Sequence, residues 1–493
     1  MGIVLKQASR ASISSYLGAI IGFVNVAIVM NQLFTTEQFG LRSVLLDIAV
    51  LFSMFANLGT NKSIVRFNPF FSSNGKSDSG LFTYSLLVSI AGFFFISIAF
   101  LLLREPTLDY FNGRNALFGS YFWAVFPLAF FMLINLVLQS KLQAEYNTAY
   151  ASFLNNVLTR LLNTALLVLY YYKAIDFHQF IVLFILSYAV IMVLFFIYLY
   201  RLDVLNFRVN RKMFSPRVRR IYFRYSLFEI WASISTTMIN KIDSIMLLML
   251  LNLSVVAVYT NAAYLTLLIS IPASSISNIS FPIVARFWKR KEFKEIEKIY
   301  QQSSINQAFI GGLLFILLWV SVDNLFELQR SVYSTGKVAI LILAVGRLFQ
   351  IACGVNAQII SASKYYPFAA ITSFSLVLLA IATNLIFIPI FGLNGAALAT
   401  TISLILYNLV RLIFIYKKMK ILPFTKATIK LVFAFTLVLI IGSFLPNVDN
   451  IYIETIYKSG VVALLYFVLN WVFNISEEVN SLIIKILPRS FQK

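Results

Sequence analysis

The sequence predicts an all-α integral membrane protein with about 14 transmembrane helices, on three observations. Apolar stretches of about twenty residues, each long enough to cross a hydrocarbon core, follow one another along almost the whole chain. Of the 493 residues, 60% are hydrophobic and 12% charged, far from the globular average. The intervening segments run little beyond about twenty residues and leave no room for a soluble domain. Irregular backbone cannot face lipid, and the runs do not alternate over about ten residues, so the spans are helices and not barrel strands.

The spans are expected to begin near Ser12, Ser43, Leu81, Leu117, Ala149, Gln179, Ser226, Ser254, Ser304, Lys337, Tyr366, Leu393, Thr425 and Glu454. With the N-terminus in the cytoplasm, about 30 of the 40 Lys and Arg fall on the cytoplasmic side and about six outside, while Arg42, Arg160, Lys241 and Arg347 lie within or beside spans. This even/odd asymmetry supports the count. Most of the net charge of +21 sits in three connections, Arg201 to Arg224, Arg286 to Lys298 and Arg411 to Lys430. Basic loops beside membrane helices signal topology and contact anionic lipid, so membrane lipids and no nucleic acid are the expected partners. Phe287 to Ile299, with Glu292, Glu295 and Glu297 among lysines, reads as a short surface helix.

Lys6 and Arg10 before the apolar run imitate a signal peptide. The run continues past Val29 without a small-x-small cleavage site, so it is read as the first span. The single cysteine, Cys353 in the tenth span, excludes disulfides within the chain and a Cys-based metal site. No cofactor or metal is expected. There is no Walker-type Gly-Lys-Ser/Thr motif either.

Tyr146 to Leu202 aligns with Tyr365 to Lys418 at an offset of roughly 216 to 219 residues, and Phe39-Gly40 corresponds to Val258-Tyr259 at the same distance. Spans one to six therefore read as repeated in seven to twelve. The expected organisation is an N-terminal lobe over residues 1–203, a basic cytoplasmic linker over 204–225, a C-terminal lobe over 226–420, and a C-terminal helix pair with a short tail over 421–493. An even number of helices per repeat keeps both copies in one orientation about an axis along the membrane normal, an arrangement suited to alternating access.

Ile388-Pro-Ile-Phe-Gly-Leu-Asn-Gly-Ala-Ala-Leu-Ala-Thr400 resembles the segment that opens the twelfth helix in polysaccharide flippases of the multidrug/oligosaccharidyl-lipid/polysaccharide exporter superfamily. Asn240-Lys-Ile-Asp-Ser-Ile-Met-Leu247 with Tyr259-Thr-Asn-Ala-Ala263 resembles their seventh and eighth helices. Phe281-Pro-Ile-Val-Ala-Arg286 resembles their mid-chain connection, and Thr36-Glu-Gln-Phe-Gly40 their first outer turn. The resemblance covers nearly the whole chain; each motif is degenerate, and their order and spacing carry the likeness. It implies a flippase of the O-antigen or capsule type, moving a polyprenyl-pyrophosphate-linked oligosaccharide across a bacterial cytoplasmic (inner) membrane, with both termini cytoplasmic. A coupling ion, proton or sodium, and other polysaccharide-assembly proteins complete the expected partners, and no enzymatic activity is expected. Small residues at Gly392, Gly395, Ala396 and Ala397 also have a plain packing role, letting a helix start directly after a turn.

Counting about 1.5 Å per residue places Arg160 and Arg347 near the midplane, where an arginine costs about 2.5–3.5 kcal/mol on insertion scales. Arginine is always charged and forks onto phosphate oxygens, so both are candidates for holding the pyrophosphate; pairing with a carbonyl or carboxylate is the alternative. Lys241 and Asp243 lie in the outer half of span seven, two residues apart and so pointing differently. Asp243 matches the acidic position of the resembled motif, whereas Lys241 could be paired across the lobes. Arg42, Asp47 and Glu229 are read nearer span ends, where hydration lowers the cost of charge. Pro127, Pro272 and Pro282 are the gating candidates, because proline removes a helix hydrogen bond and bends the helix. Tyr170-Tyr171-Tyr172 reads as an interfacial belt, and His178 has no evident ligand set.

Three other functions compete. A cation-coupled multidrug exporter of the same superfamily is disfavoured by cationic midplane residues and by Asn25 in place of an acid in span one. A peptidoglycan lipid-precursor flippase is a rival within the superfamily. A membrane glycan polymerase or glycosyltransferase needs positioned carboxylates or a large outer loop that the chain lacks.

Overall fold

A computed structural model describes residues 2–71, 80–106, 115–145, 147–205, 207, 216–239 and 241–480. Residues 206 and 208–215 of the 204–225 linker and Asn240 therefore lie outside the described residues, and 216–225 form the start of a helix. The described chain is helical and divides into two compact units, Met1–Thr260 and Asn261–Lys493.

In the first unit, α1 (Gly2–Phe23) continues through a π-helical turn, Val24–Val29, to Leu33. Then follow α2 (Thr36–Asn57), α3 (Thr60–Phe71) and α4 (Leu81–Leu102). The 3₁₀ turn Phe122–Ala124 leads into α5 (Val125–Ala144), and the π turn Phe153–Leu158 into α6 (Thr159–Tyr171). The unit ends with α7 (Phe177–Arg201), α8 (Pro216–Met238), α9 (Ile242–Leu250) and the start of α10 (Leu253–Leu267). Its interior mixes apolar packing, as around Phe82, Leu138, Ile191 and Phe195, with small hydroxyls. Ser89 bonds Thr60 at 2.8 Å, Ser85 bonds Tyr222 at 2.6 Å and Ser63 bonds Ser226 at 2.7 Å. Buried hydroxyl pairs of this kind hold helices together where lipid supplies no hydrophobic drive. The outward side is the reverse: Phe95 and Leu102 of α4 are exposed, as a hydrocarbon solvent allows.

The second unit contains α11 (Ile271–Arg290), α12 (Phe293–Val320), α13 (Lys337–Ala352), α14 (Asn356–Ala362), α15 (Tyr366–Met419), α16 (Lys426–Ser443) and α17 (Ile451–Phe473). The C-terminal pair packs on α12, with Tyr466 stacked on Phe309 and Leu431, Val438 and Val462 buried beside them. Between its ends the Lys458 ammonium donates to Glu454 and to Asn447.

Twelve segments among the described residues are long and apolar enough to cross a bilayer. One of them, α15, is two limbs. Gly392 has φ 57°, and hydrogen bonds pair Thr383 with Ser403 and Arg411 with Thr372, so the chain reverses there. Gly395 lies so close to the Phe387 carbonyl that a Cβ would overlap it, which gives this small-residue cluster its packing role. With α8 and α9 as one broken crossing, the helices amount to the fourteen spans expected.

Three boundaries differ from the sequence expectation. Span two starts at Thr36, because Thr35 and Gln38 form a capping box (3.2 and 3.0 Å) that nucleates the helix a full two turns before Ser43. Asp47 and Arg42 are consequently buried inside the bundle, 6% and 9% exposed, and not hydrated near a span end. Phe287 to Ile299 is no separate surface helix: it is the end of α11 and the start of α12, divided at Lys291, whose φ of 59° stops the first helix. Arg411 lies in no cytoplasmic connection but inside α15, 3% exposed, donating to Thr372, Ser373 and the Ala369 carbonyl.

Candidate functional site

Span seven is interrupted between Met238 and Ile242. Lys241 stands at the break, and its ammonium reaches Asp47 of α2 at 2.5 Å. The second oxygen of Asp47 accepts from Ser244 Oγ at 2.6 Å. Asp243 turns elsewhere and accepts from the Tyr259 hydroxyl of α10 at 2.5 Å. Lys241, at the non-helical cap, and Asp243, in the first turn of α9, thus serve different neighbours. Lys241 pairs within the first unit. Asp243 and Ser244 occupy the first turn of α9, whose free N–H groups carry the positive end of the helix dipole, so the carboxylates are stabilised there by charge and dipole together.

A second cluster of the same unit lies on α7. The Arg42 guanidinium sits 4.7 Å from the centre of the Phe184 ring, and one turn on, Tyr188 is within electrostatic reach of both Arg42 and Arg160. Arg160 is half-buried against α1, where a Cβ on Gly18 would overlap the Asn156 carbonyl and touch Arg160 Nη1. The Arg160 carbonyl accepts from Asn25 at 3.0 Å and from Thr164 at 2.9 Å. That Nη1 is buried and makes no hydrogen bond among the described residues.

The remaining candidates stand apart. Glu229 lies beside Tyr225, over whose ring Arg66 lies at 4.2 Å. Arg347 belongs to the second unit, half-buried on α13 and 3.5 Å from Gln350, just before the break at Cys353–Val355. Pro127 follows the 3₁₀ turn that opens α5, Pro272 is the second residue of α11 after the 3₁₀ turn Leu268–Ser270, and Pro282 lies inside α11.

Sequence reasoning missed Ser244, Tyr188 and the partners of Asp243, since nothing in spacing couples residues so far apart. It also passed over Lys141, fully buried and bonded to Glu145 (3.0 Å) and Asn68 (3.2 Å). Its signal was present: Lys141 and Glu145, like Glu454 and Lys458, are four apart on a helix.

Charge held within a helical bundle by ion pairs, at points where the helices are broken, belongs to membrane transport folds. Residues 4–288 match the polysaccharide biosynthesis protein family, and the chain belongs to it. Over 98% of its length it is 22% identical to the uncharacterized membrane protein MJ1068 of Methanocaldococcus jannaschii, of which 99% is covered. Among solved structures, the lipid II flippase MurJ in an inward closed conformation matches with a TM-score of 0.74 at 14% identity, covering 94% of this chain and 98% of that one. An inward-facing multidrug resistance MATE family transporter of the MOP superfamily matches with a TM-score of 0.63 at 17% identity, covering 85% and 98%. The fold is that of the exporter superfamily the motifs resemble.

Proposed function

We propose that the protein is a flippase that moves a polyprenyl-pyrophosphate-linked oligosaccharide from the cytoplasmic to the outer leaflet by alternating access, for surface polysaccharide biosynthesis. The observation that carries the reading is Arg160, half-buried in the first unit with a buried Nη1 that makes no hydrogen bond among the described residues. An unused cationic donor inside a membrane bundle calls for an anionic cargo, and a pyrophosphate supplies forked oxygens. Membership of the polysaccharide biosynthesis protein family supports a saccharide cargo. Stripping a sugar of water costs roughly 4–8 kcal/mol per hydroxyl on an alkane scale, so the head group needs a polar path while the polyprenyl tail stays in lipid.

In this reading Arg42 and Arg160 in the first unit, and separately Arg347 in the second, are the residues offered to the pyrophosphate. Asp47, Lys241, Asp243 and Glu229 provide exchangeable ion pairs and hydrogen bonds for cargo or a coupling proton or sodium ion. Pro127, Pro272 and Pro282 mark helices that bend during gating. The basic connections support an orientation with both termini on the cytoplasmic side of a bacterial inner membrane. The protein acts as a transporter and not as an enzyme.

The test is the sidedness of lipid-linked oligosaccharides in the native host after depletion, with rescue by wild type or by Arg160→Ala/Arg347→Ala. Build-up of a cytoplasm-facing glycan lipid, rescued by wild type alone, is the expected result; no build-up overturns the reading. A second reading, a peptidoglycan lipid-precursor flippase, is favoured by the extent of the match to the lipid II flippase. Accumulated lipid-linked peptidoglycan precursor in place of a surface glycan would select it.

A further inference from the structure

At one end of the second unit a cavity of about 590 Å³ opens where five helix ends meet: the close of α11, the start of α12, the close of α14 and both ends of α15. Lys289, Lys291, Lys364 and Lys418 line it together with Trp288 and Tyr365, whose rings meet edge to face at 6.3 Å. The described residues lining it include no carboxylate. Glu292 beside it faces Arg290 at 4.0 Å. The helix dipoles nearly cancel, since three C-terminal and two N-terminal ends converge at about half a charge each. Four lysines therefore decide the sign.

Lys291 and Lys420 both hold the left-handed conformation after a helix end, with φ of 59° and 61°, where glycine fits without strain. The Lys364 ammonium lies over the Tyr365 ring at 5.2 Å and that of Lys420 over Tyr416 at 5.3 Å, which holds the charges in place. Helix ends with tryptophan and tyrosine among lysines lie at headgroup level in a bilayer. Along the same helices Phe281, Ile371 and Ile413 are exposed for acyl chains to cover, which a soluble anion would leave unused.

We propose that this cavity is a binding site for the phosphate headgroup of an anionic membrane phospholipid, held as a resident lipid of the second unit. The proposal does not depend on what the protein transports. Each lysine beside an anionic headgroup is worth roughly a fivefold change in affinity, so four amount to several-hundredfold.

The test uses the purified, delipidated full chain in neutral detergent, with its unfolding temperature followed during titration with phosphatidylglycerol, phosphatidylcholine or inorganic pyrophosphate. Phosphatidylglycerol is expected to raise the unfolding temperature saturably, and less so at high salt, while the other two do not. In Lys289→Gln/Lys291→Gln/Lys364→Gln/Lys418→Gln the half-saturating concentration should rise by several-hundredfold. A control with equal charge loss at exposed positions outside the three basic connections, Lys62→Gln/Arg66→Gln/Lys173→Gln/Arg330→Gln, should stay within a few-fold of wild type. Should the pocket variant fail to fold, Lys364→Gln alone should shift the midpoint about fivefold, and the four Lys→Arg replacements should leave it within a few-fold. Equal effects of the two phospholipids, equal loss in pocket and control variants, or stabilisation by pyrophosphate alone would each overturn the proposal, the last by assigning the site to a soluble anion.

Discussion

Replacing Asp47 by asparagine removes the charge that Lys241 approaches to 2.5 Å yet keeps shape and an acceptor for Ser244, so it isolates the ion pair. Removing one member of a fully buried pair costs about 3–5 kcal/mol, because the other charge is left uncompensated. The Lys241 side chain is 28% exposed and can rehydrate, which brings Asp47→Asn down to about 2 kcal/mol. Lys241→Gln is the costlier change, about 3 kcal/mol, since it strands a carboxylate that is 8% exposed and retains only Ser244. The double variant leaves two amides able to bond each other and should cost about 2 kcal/mol, so the coupling energy is about 3 kcal/mol. Ordinary interhelical hydrogen bonds in membranes average about 0.6 and reach about 1.7 kcal/mol, so the expected value lies clear of them. The assay is equilibrium unfolding of the four proteins in mixed micelles. A coupling below about 0.6 kcal/mol, or Asp47→Asn costing more than Lys241→Gln, would refute the reasoning.

Lys141→Met should destabilise the first unit by about 3 kcal/mol, and Lys141→Met/Glu145→Gln should recover most of it by removing the stranded carboxylate, both read from unfolding midpoints. Three glycines should separate cleanly by thermal unfolding. Gly40→Ala drives a methyl into the Leu253 carbonyl and should cost about 1–3 kcal/mol; Gly392→Ala meets open space but a φ of 57°, for about 1–2; Gly460→Ala, helical and unobstructed, should be neutral or gain up to about 1. Arg411→Lys keeps the charge and loses the fork that reaches Thr372, Ser373 and the Ala369 carbonyl, so about 1–2 kcal/mol of stability should go without rescue from the retained cation.

What was legible in the sequence follows from what determines it. Hydrophobic length fixes spans, so class and count could be read directly, and the reversal at Gly392 was visible in its small-residue neighbourhood. Boundaries were not, because a capping box such as Thr35/Gln38 starts a helix among polar residues that hydropathy assigns to a loop. The charged positions in spans could be named, since their cost alone makes them informative. Their partners could not: Asp47 and Lys241 stand 194 residues apart, and only packing joins them. Arg411 was misplaced because Lys417, Lys418 and Lys420 follow it closely, and charge density along the sequence cannot tell a basic residue buried within a helix from the exposed ones at its end.

The helix interruptions share a physical logic. An unsatisfied backbone group in hydrocarbon costs several kcal/mol, so a break inside a span persists only where something else supplies the bond. At the π turns of spans one and five the Arg160 carbonyl is taken by Asn25 and Thr164. At Cys353–Val355 the Ala352 carbonyl accepts from Ser304 at 2.6 Å, and Asn356 beyond it bonds Asn408. In span seven the start of α9 is met by Asp243 in its own first turn and by Asp47 through Ser244. The repairing groups in the first two cases come from a neighbouring helix or are shared with one, so each break stays closed only while that neighbour stays put. A continuous helix resists bending over its whole length, whereas at these points a neighbouring helix completes the hydrogen bonding of the span. Lys241 stands at one such point, Arg160 directly follows the π turn of span five, and Arg347 lies on the last turns of α13 before the break at Cys353–Val355, so the candidate cations fall near the places where a neighbouring helix completes the span.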